Sequence, residues 1–284
     1  MHMQFVDLYQ FFGATKPEAG KGTLKCLDIP TSEKVSPCRK KPAVLIIPGG
    51  GYSHVSPREA EPVALRFLAK GYAAFILDYA VAPAVFPTAL REAAMAMRYI
   101  RLHASVFGVD SAMVAAVGFS AGGHLCGSLG TMYDAPELAD IGTALLLRPD
   151  ALGLCYPVTV GWGATHEGTF ENISGGNPDL RARLSLERHV RADMPPVFLW
   201  HTRDDGAVPC RNSLIFASAL DEAGVDFALH IYRSGPHGLS TADNMAYPDG
   251  AVPAMSGSVP GWIDELIGFF AEKGLKIRDF EVEK

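Results

Sequence analysis

Six short, largely apolar runs, each bounded by glycine, proline or a polar loop, constrain this chain more than any other feature. They cover residues 43–47, 73–77, 113–117, 151–156, 197–200 and 227–232. A run with no polar face has nothing to offer water, so it suits a strand buried on both sides of a parallel sheet. Helical patterns lie between and after these runs, at 57–70, 88–107, 122–132, 211–223 and 262–273. In the second, Leu90, Ala94, Met97 and Ile100 recur at helical spacing. Ser56 ahead of Pro57-Arg58-Glu59 reads as an N-cap and first turn. Strand alternating with helix predicts βαβ units: an α/β fold with a mostly parallel central sheet and helices on both faces. The segment before residue 43 is expected to add edge strands, such as residues 24–29.

Two stretches break the rhythm. Residues 159–180 are rich in Gly, Thr and Asn, and residues 240–260 in Pro, Gly and Ser. Long irregular segments of this kind are expected to be lid or pocket loops. The 284 residues, 48% of them hydrophobic, are enough to bury a large core, and one domain over 1–284 is expected. The net charge of −6, with Lys and Arg dispersed, speaks against nucleic acid or an anionic membrane as partner. No apolar run approaches the roughly 18 residues needed to span a bilayer. The first residues do not read as a signal peptide, so a cytoplasmic protein is expected. Cys26, Cys38, Cys126, Cys155 and Cys210 show no metal-ligand spacing and are expected to be reduced, buried thiols.

The chemistry-bearing residues sit where these runs end. Gly118-Phe119-Ser120-Ala121-Gly122 matches G-x-S-x-G, between the run at 113–117 and the helical pattern at 122–132. That strand–turn–helix context is what a nucleophile elbow requires. A serine hydroxyl attacks only when a base takes its proton. Of nine histidines, His237 stands in Ser234-Gly235-Pro236-His237-Gly238, just past the last apolar run, where ligands meet open α/β sheets. His201, at the end of the preceding run, is the second candidate. His230 and His124 are expected to pack, and His103, His166 and His189 to lie on the surface. The acid comes from Asp204-Asp205, and residue type alone does not separate the two. One is expected to orient the imidazole and the other to serve a turn. Pro48-Gly49-Gly50-Gly51-Tyr52 follows the first run, and its glycines can turn backbone N–H groups toward a substrate oxygen, with Ala121 N–H as a further donor. A nucleotide site is excluded by His54 where a dinucleotide fingerprint needs glycine, and by the lack of Gly-Lys-Ser/Thr. No cofactor or metal is expected.

Together these residues resemble the α/β-hydrolase superfamily. More narrowly, they resemble small bacterial esterases related to carbohydrate (xylan) acetylesterases and to the hormone-sensitive-lipase-like group. The likeness runs from about Lys41 to Phe270 and includes Arg58-Glu59-Ala60-Glu61-Pro62, Asp78-Tyr79, Gly118 to Leu125, Asp205-Gly206-Ala207-Val208-Pro209 and Pro236-His237-Gly238. In such esterases the acid stands as D-x-x-V-P, so the resemblance implies Asp205. It likewise implies Ser120 as nucleophile, His237 as base, and Gly50, Gly51 and Ala121 as oxyanion donors. Pro48 stands where many relatives have histidine, which favours the acetylesterase side. The implied activity is a serine carboxylic-ester hydrolase working through an acyl-enzyme on short (acetyl) esters of a carbohydrate or other polar alcohol. Tyr52 is expected to wall the acyl side. Trp162, with His166, Asn172, Asp243 and Asn244, is expected to meet the alcohol. The partner expected is a small-molecule ester, with a homo-oligomer left open. The alternatives are a prolyl-oligopeptidase-type peptidase, for whose usual propeller this chain has no room, and a non-catalytic binding module on the same fold, which typically loses triad members.

Overall fold

The computed structural model describes residues 1–30 and 40–277, so Cys38 lies outside the described residues. Eight strands form one sheet: β1 (His2–Asp7), β2 (Thr23–Asp28), β3 (Lys41–Ile47), β4 (Ala73–Asp78), β5 (Val109–Phe119), β6 (Leu152–Cys155), β7 (Val197–Thr202) and β8 (Phe227–Tyr232). Their spatial order is β1-β2-β4-β3-β5-β6-β7-β8. At one edge β1 pairs antiparallel with β2 and β2 pairs antiparallel with β4, so β2, expected at the edge, lies inside β1; the remaining pairings are parallel. The helices are α1 (Leu8–Phe12), α2 (Glu61–Ala69), α3 (Thr88–Leu102), α4 (Ser120–Thr131), α5 (Ala144–Leu147), α6 (Glu167–Ser174), α7 (Pro178–Arg183), α8 (Arg211–Glu222) and α9 (Trp262–Glu272).

The period-2 alternation of side chains splits each apolar run between two cores. In β3, Ala43, Leu45 and Ile47 face the layer of α3, α4 and α8, whereas Val44 and Ile46 face α2 and α9. Parallel register carries the pattern across the sheet, with Leu45 opposite Phe75 and Ala116. Because both faces are covered, β3 has no exposed position, which explains its lack of a polar face in sequence. Each fully buried side chain in these layers, such as Phe67 of α2 or Leu266 of α9, contributes about 1.5–3 kcal/mol of transfer free energy.

Three elements differ from the sequence expectation. The segment 57–70 breaks at Ala60 into a 3₁₀ turn, Pro57–Glu59, and α2, whose first turn accommodates Pro62 because no intrahelical N–H is needed there. The stretch 159–180 contains α6 and part of α7. Its Gly and Asn residues are caps: Gly175 ends α6 at φ 60°, and the Asn177 side chain accepts from the N–H groups of Asp179 and Leu180 to start α7. Residues 240–260 are largely irregular, as expected. β1 has Met3 and Phe5 more than half exposed, so it carries no continuous buried signature.

Candidate active site

Ser120, Asp205 and His237 follow β5, β7 and β8, all at the carboxyl end of the parallel sheet. β5 runs straight into α4, and the reversal forces Ser120 to φ 54°, a left-handed conformation rare outside glycine. The turn is possible because α4 crosses close over β3: a Cβ on Gly122 would stand 2.2 Å from the carbonyl oxygens of Ile47 and Pro48. His237 Nε2 lies 2.8 Å from Ser120 Oγ, and His237 Nδ1 lies 2.7 Å from Asp205 Oδ2. A carboxylate only accepts, so Nδ1 carries the proton and Nε2 is left to accept from the serine hydroxyl.

The two aspartates divide the work differently from the expectation. Asp205 is both the partner of His237 and the turn residue, since its Oδ1 accepts from the N–H groups of Ala207 and Val208. Asp204 instead accepts from Gly235 N–H at 2.8 Å, pinning the loop that carries His237. Burial pushes the Asp205 carboxyl up, but the neighbouring His201 and His237 imidazoles and the Val208 amide outweigh it. The group is held well below the usual carboxylate range. His201 is fully buried, donating from Nε2 to Val208 O at 2.9 Å and accepting from Ser213 Oγ at 2.8 Å, and it does not approach Ser120 as base.

The glycine loop 48–52, the candidate oxyanion loop, is organised by its carbonyls. Gly49 O accepts from Ser56 N–H at 2.9 Å, Gly50 O from Ser53 N–H at 3.0 Å, and Gly51 O from the Asn172 amide at 2.8 Å. In a trans peptide the N–H points opposite to the C=O, so holding the Gly49 and Gly50 carbonyls aims the N–H groups of Gly50 and Gly51 the other way. Among the described residues neither N–H has a protein acceptor. Gly50 adopts φ 125°, and a Cβ there would meet His54 O at 2.0 Å, so only glycine fits. Ala121 N–H belongs to the first turn of α4, which the helix leaves without an internal acceptor. Three donors and a helix N-terminus therefore stand beside the serine, an arrangement that can stabilise negative charge forming on a carbonyl oxygen.

The fold and the sequence are similar to those of known proteins. A sequence model described as "Prolyl oligopeptidase family" matches residues 96–249, more than half of the chain, and a second, BD-FAE, matches residues 27–144. The crystal structure of an acetyl ester-xyloside bifunctional hydrolase from Caldicellulosiruptor lactoaceticus superposes with a TM-score of 0.78 at 35% identity, covering 89% of each chain. The chain belongs to the esterases of the α/β-hydrolase family. Endo-1,4-beta-xylanase B of Butyrivibrio fibrisolvens is 37% identical to this esterase-family chain over 216 residues, 72% of the chain. An acetylxylan esterase of Xylanibacter ruminicola is 30% identical over 215 residues, 73% of the chain. The chain spans 33% and 43% of the length of these two curated relatives.

Around the serine this hydrolase has a cleft of about 280 Å³, lined by Ser120, His237, Gly50, Gly51, Ser53, His54, Ser56, Arg58, Glu59, His166 and Gly238. Several expected contacts lie elsewhere. Tyr52 is 1% exposed and turned into the core, where its hydroxyl donates to His124 Nδ1 at 2.9 Å, so its ring does not line the cleft. Trp162 is 48% exposed and carries the Arg181 guanidinium 4.3 Å above its ring, outside the cleft lining. Asn172 spends its amide on Gly51 O, and Asp243 is ion-paired with Arg66. His166, expected on the surface and toward the alcohol, caps α6 through Nδ1 and lines the cleft, and burial and the facing His237 lower its pKa. Glu59 and Tyr156 carry no local signal of a site role, because their contacts span up to 97 residues of sequence.

Proposed function

We propose that this chain is a serine carboxylic-ester hydrolase that removes short acyl groups, above all acetyl, from a carbohydrate or another polar alcohol. The observation that carries the reading is the relay Ser120–His237–Asp205 opening beside unbonded N–H groups of Gly50 and Gly51. Ser120 Oγ attacks the ester carbon as its proton passes to His237 Nε2. The carbonyl electrons move onto oxygen, which the N–H groups of Gly50, Gly51 and Ala121 receive. Asp205 stabilises the imidazolium. Collapse expels the alcohol, which takes the proton back from His237. Water then cleaves the acyl-enzyme by the same route and releases the acid.

The size and lining of the cleft support a small acyl group on a polar alcohol. A volume of about 280 Å³ lies at the low end for ligand sites, and Ser53, Ser56, His54, Arg58 and His166 offer hydrogen bonds rather than an apolar channel. A groove of about 560 Å³ shares Ser53, His54 and Ser56 with the cleft and leads toward Phe5 and Lys25, giving the alcohol room to extend. The relatives named for acetyl ester and acetylxylan hydrolysis point the same way. Among the described residues no helix is long and apolar enough to cross a membrane. The free thiols of Cys26, Cys126, Cys155 and Cys210 support a reducing, cytoplasmic location. The prolyl-oligopeptidase match supports a peptidase as the second reading.

The test is a p-nitrophenyl ester series from acetate to decanoate beside an acetylated xylo-oligosaccharide and a prolyl anilide. A deep apolar pocket would gain roughly 1 kcal/mol per added methylene. We expect kcat/KM to fall beyond about four carbons and acetate to be released from the sugar. A maximum at octanoate or longer, or faster cleavage of the anilide, would overturn the reading.

A further inference from the structure

Glu59 is a buried acid for which the ester mechanism above has no use. It is 3% exposed, at the end of the 3₁₀ turn Pro57–Glu59, and among the described residues no Lys, Arg or His forms an ion pair with it. Both of its oxygens act as acceptors. Oε2 accepts from Gly49 N–H at 2.7 Å, and Oε1 accepts from the Tyr156 hydroxyl at 2.8 Å. Tyr156 follows β6, adopts φ 38°, and in turn accepts from Ser240 N–H at 2.9 Å. Its ring stands edge-on to the His237 imidazole, with centroids 5.0 Å apart. The packing leaves no slack at Gly49, where a Cβ would stand 2.8 Å from Glu59 Oε2 and 3.0 Å from Ser120 Cβ.

We infer that Glu59 is a positioning residue that locks the oxyanion loop against the wall carrying His237. The inference rests on the reading of Ser120 as nucleophile and Gly50 and Gly51 as donors. The chain of bonds runs Gly49 N–H to Glu59, Tyr156 O–H to Glu59, and Ser240 N–H to Tyr156. It joins the oxyanion loop to the loop that follows His237 across the cleft. Gly49 is held at both ends, its N–H by Glu59 and its C=O by Ser56 N–H. The peptide that presents Gly50 N–H therefore cannot rotate without breaking one of the two bonds. A carboxylate is needed because two donors converge on one side chain. Glutamine has the same length but a single acceptor oxygen, so its amide N–H₂ would face either Gly49 N–H or the Tyr156 proton. Burying a carboxylate without a counter-charge is costly, and here the charge lies near a developing oxyanion, which it does not help. The position therefore favours an acid for its geometry, through the donors it orients.

The test compares wild type with Glu59→Gln, counting active sites with a fluorophosphonate and assaying p-nitrophenyl acetate. Removing one oxyanion donor outright costs about 10²–10³-fold in kcat, so loosening the donors should cost about 10- to 100-fold per titrated site, with KM within about threefold. Affinity for a trifluoromethyl ketone, whose adduct is tetrahedral, should fall by the same factor as kcat/KM. A merely structural role would lower the thermal midpoint and the count of active sites but leave kcat per site unchanged. That result, or unchanged ketone affinity, overturns the inference. Should Glu59→Gln yield no folded protein, Tyr156→Phe carries the test with a smaller loss of about 3- to 10-fold, and an unchanged rate per site overturns the inference there too. A wild type that neither reacts with the fluorophosphonate nor binds the ketone would overturn the esterase reading itself, and this inference with it.

Discussion

Asp204 and Asp205 are adjacent in sequence, yet the fold gives them separate tasks. Asp205 touches His237 Nδ1 directly, whereas Asp204 holds Gly235 N–H two residues before the imidazole. Asparagine at 205 presents an amide that can donate to the ring and favour the wrong tautomer, a change that can cost about 10⁴-fold in kcat. Asparagine at 204 keeps a carbonyl oxygen for Gly235, so kcat should fall by less than about tenfold. Side-by-side kcat values for Asp205→Asn and Asp204→Asn check this, and the reverse ranking would displace Asp205 from its role. At this scale the residues of the relay were legible because each ends an apolar strand in a Gly- or Pro-rich loop. Choosing between the aspartates needed the resemblance, since composition is the same for both. Glu59 was not legible as a cleft residue, and His166 was expected toward the alcohol without the contact that fixes it there. Glu59 depends on Tyr156 and Gly49 meeting in space, and His166 reads as a polar loop residue until α6 forms behind it.

The unit formed by β5 and α4 sets Ser120, the proposed nucleophile, and its tolerance is sharply local. Gly122 faces the carbonyls of Ile47 and Pro48, which belong to β3 and the start of the oxyanion loop. A methyl group 2.2 Å from two backbone oxygens cannot be absorbed by a rotamer change, so α4 must lift away from β3. Gly122→Ala should therefore destabilise by about 3 kcal/mol or more and disturb oxyanion loop and nucleophile together. Chemical denaturation and the fraction of sites reactive to a fluorophosphonate are the measurements, and a stable, fully reactive variant would contradict the packing argument. Elements were legible in proportion to their burial. β3 to β8 and α2, α3, α4, α8 and α9 follow from apolar runs and helical spacing. β1 did not, because an edge strand with exposed Met3 and Phe5 lacks that pattern. α6 and α7 did not, because their caps are the same Gly and Asn residues that suggest a loop.

For the molecule as a whole, the interior holds ionisable groups whose protonation ties stability to pH. His124, on α4, is 1% exposed. Its Nε2–H donates to Leu184 O at 2.8 Å and its Nδ1 accepts from Tyr52. Burial lowers its pKa to about 4, against the opposing pull of the Leu184 carbonyl. The unfolded chain binds a proton at that histidine near pH 6.5, and the folded chain only near 4. Between those values the unfolded state carries more protons, so the contribution is complete above about 6.5 and is lost as pH falls toward 4. The loss from this one site is about 2 kcal/mol by pH 5 and about 3 kcal/mol by pH 4. His166, also lowered, acts in the same direction. Asp205 adds a second stage, because its depressed pKa supplies stability that disappears only below the ordinary carboxylate value. Glu92 opposes both. Burial raises its pKa despite hydrogen bonds from Ala80, Lys21 and Tyr9, so it takes up a proton in the folded state first and gains stability as the medium turns acid. The wild-type profile is thus a sum of opposed slopes, and a difference between proteins isolates His124. Urea unfolding at pH 7.5, 6.5, 5.5 and 4.5 should show a steeper fall for wild type than for His124→Gln, which cannot titrate. His124→Gln loses the match to Tyr52 and Leu184 and starts lower at pH 7.5, but the two curves should converge by about 2 kcal/mol by pH 5. Parallel curves over that range would mean that His124 titrates alike in the folded and unfolded chains, and that the Tyr52–His124–Leu184 contact leaves its proton affinity unaltered.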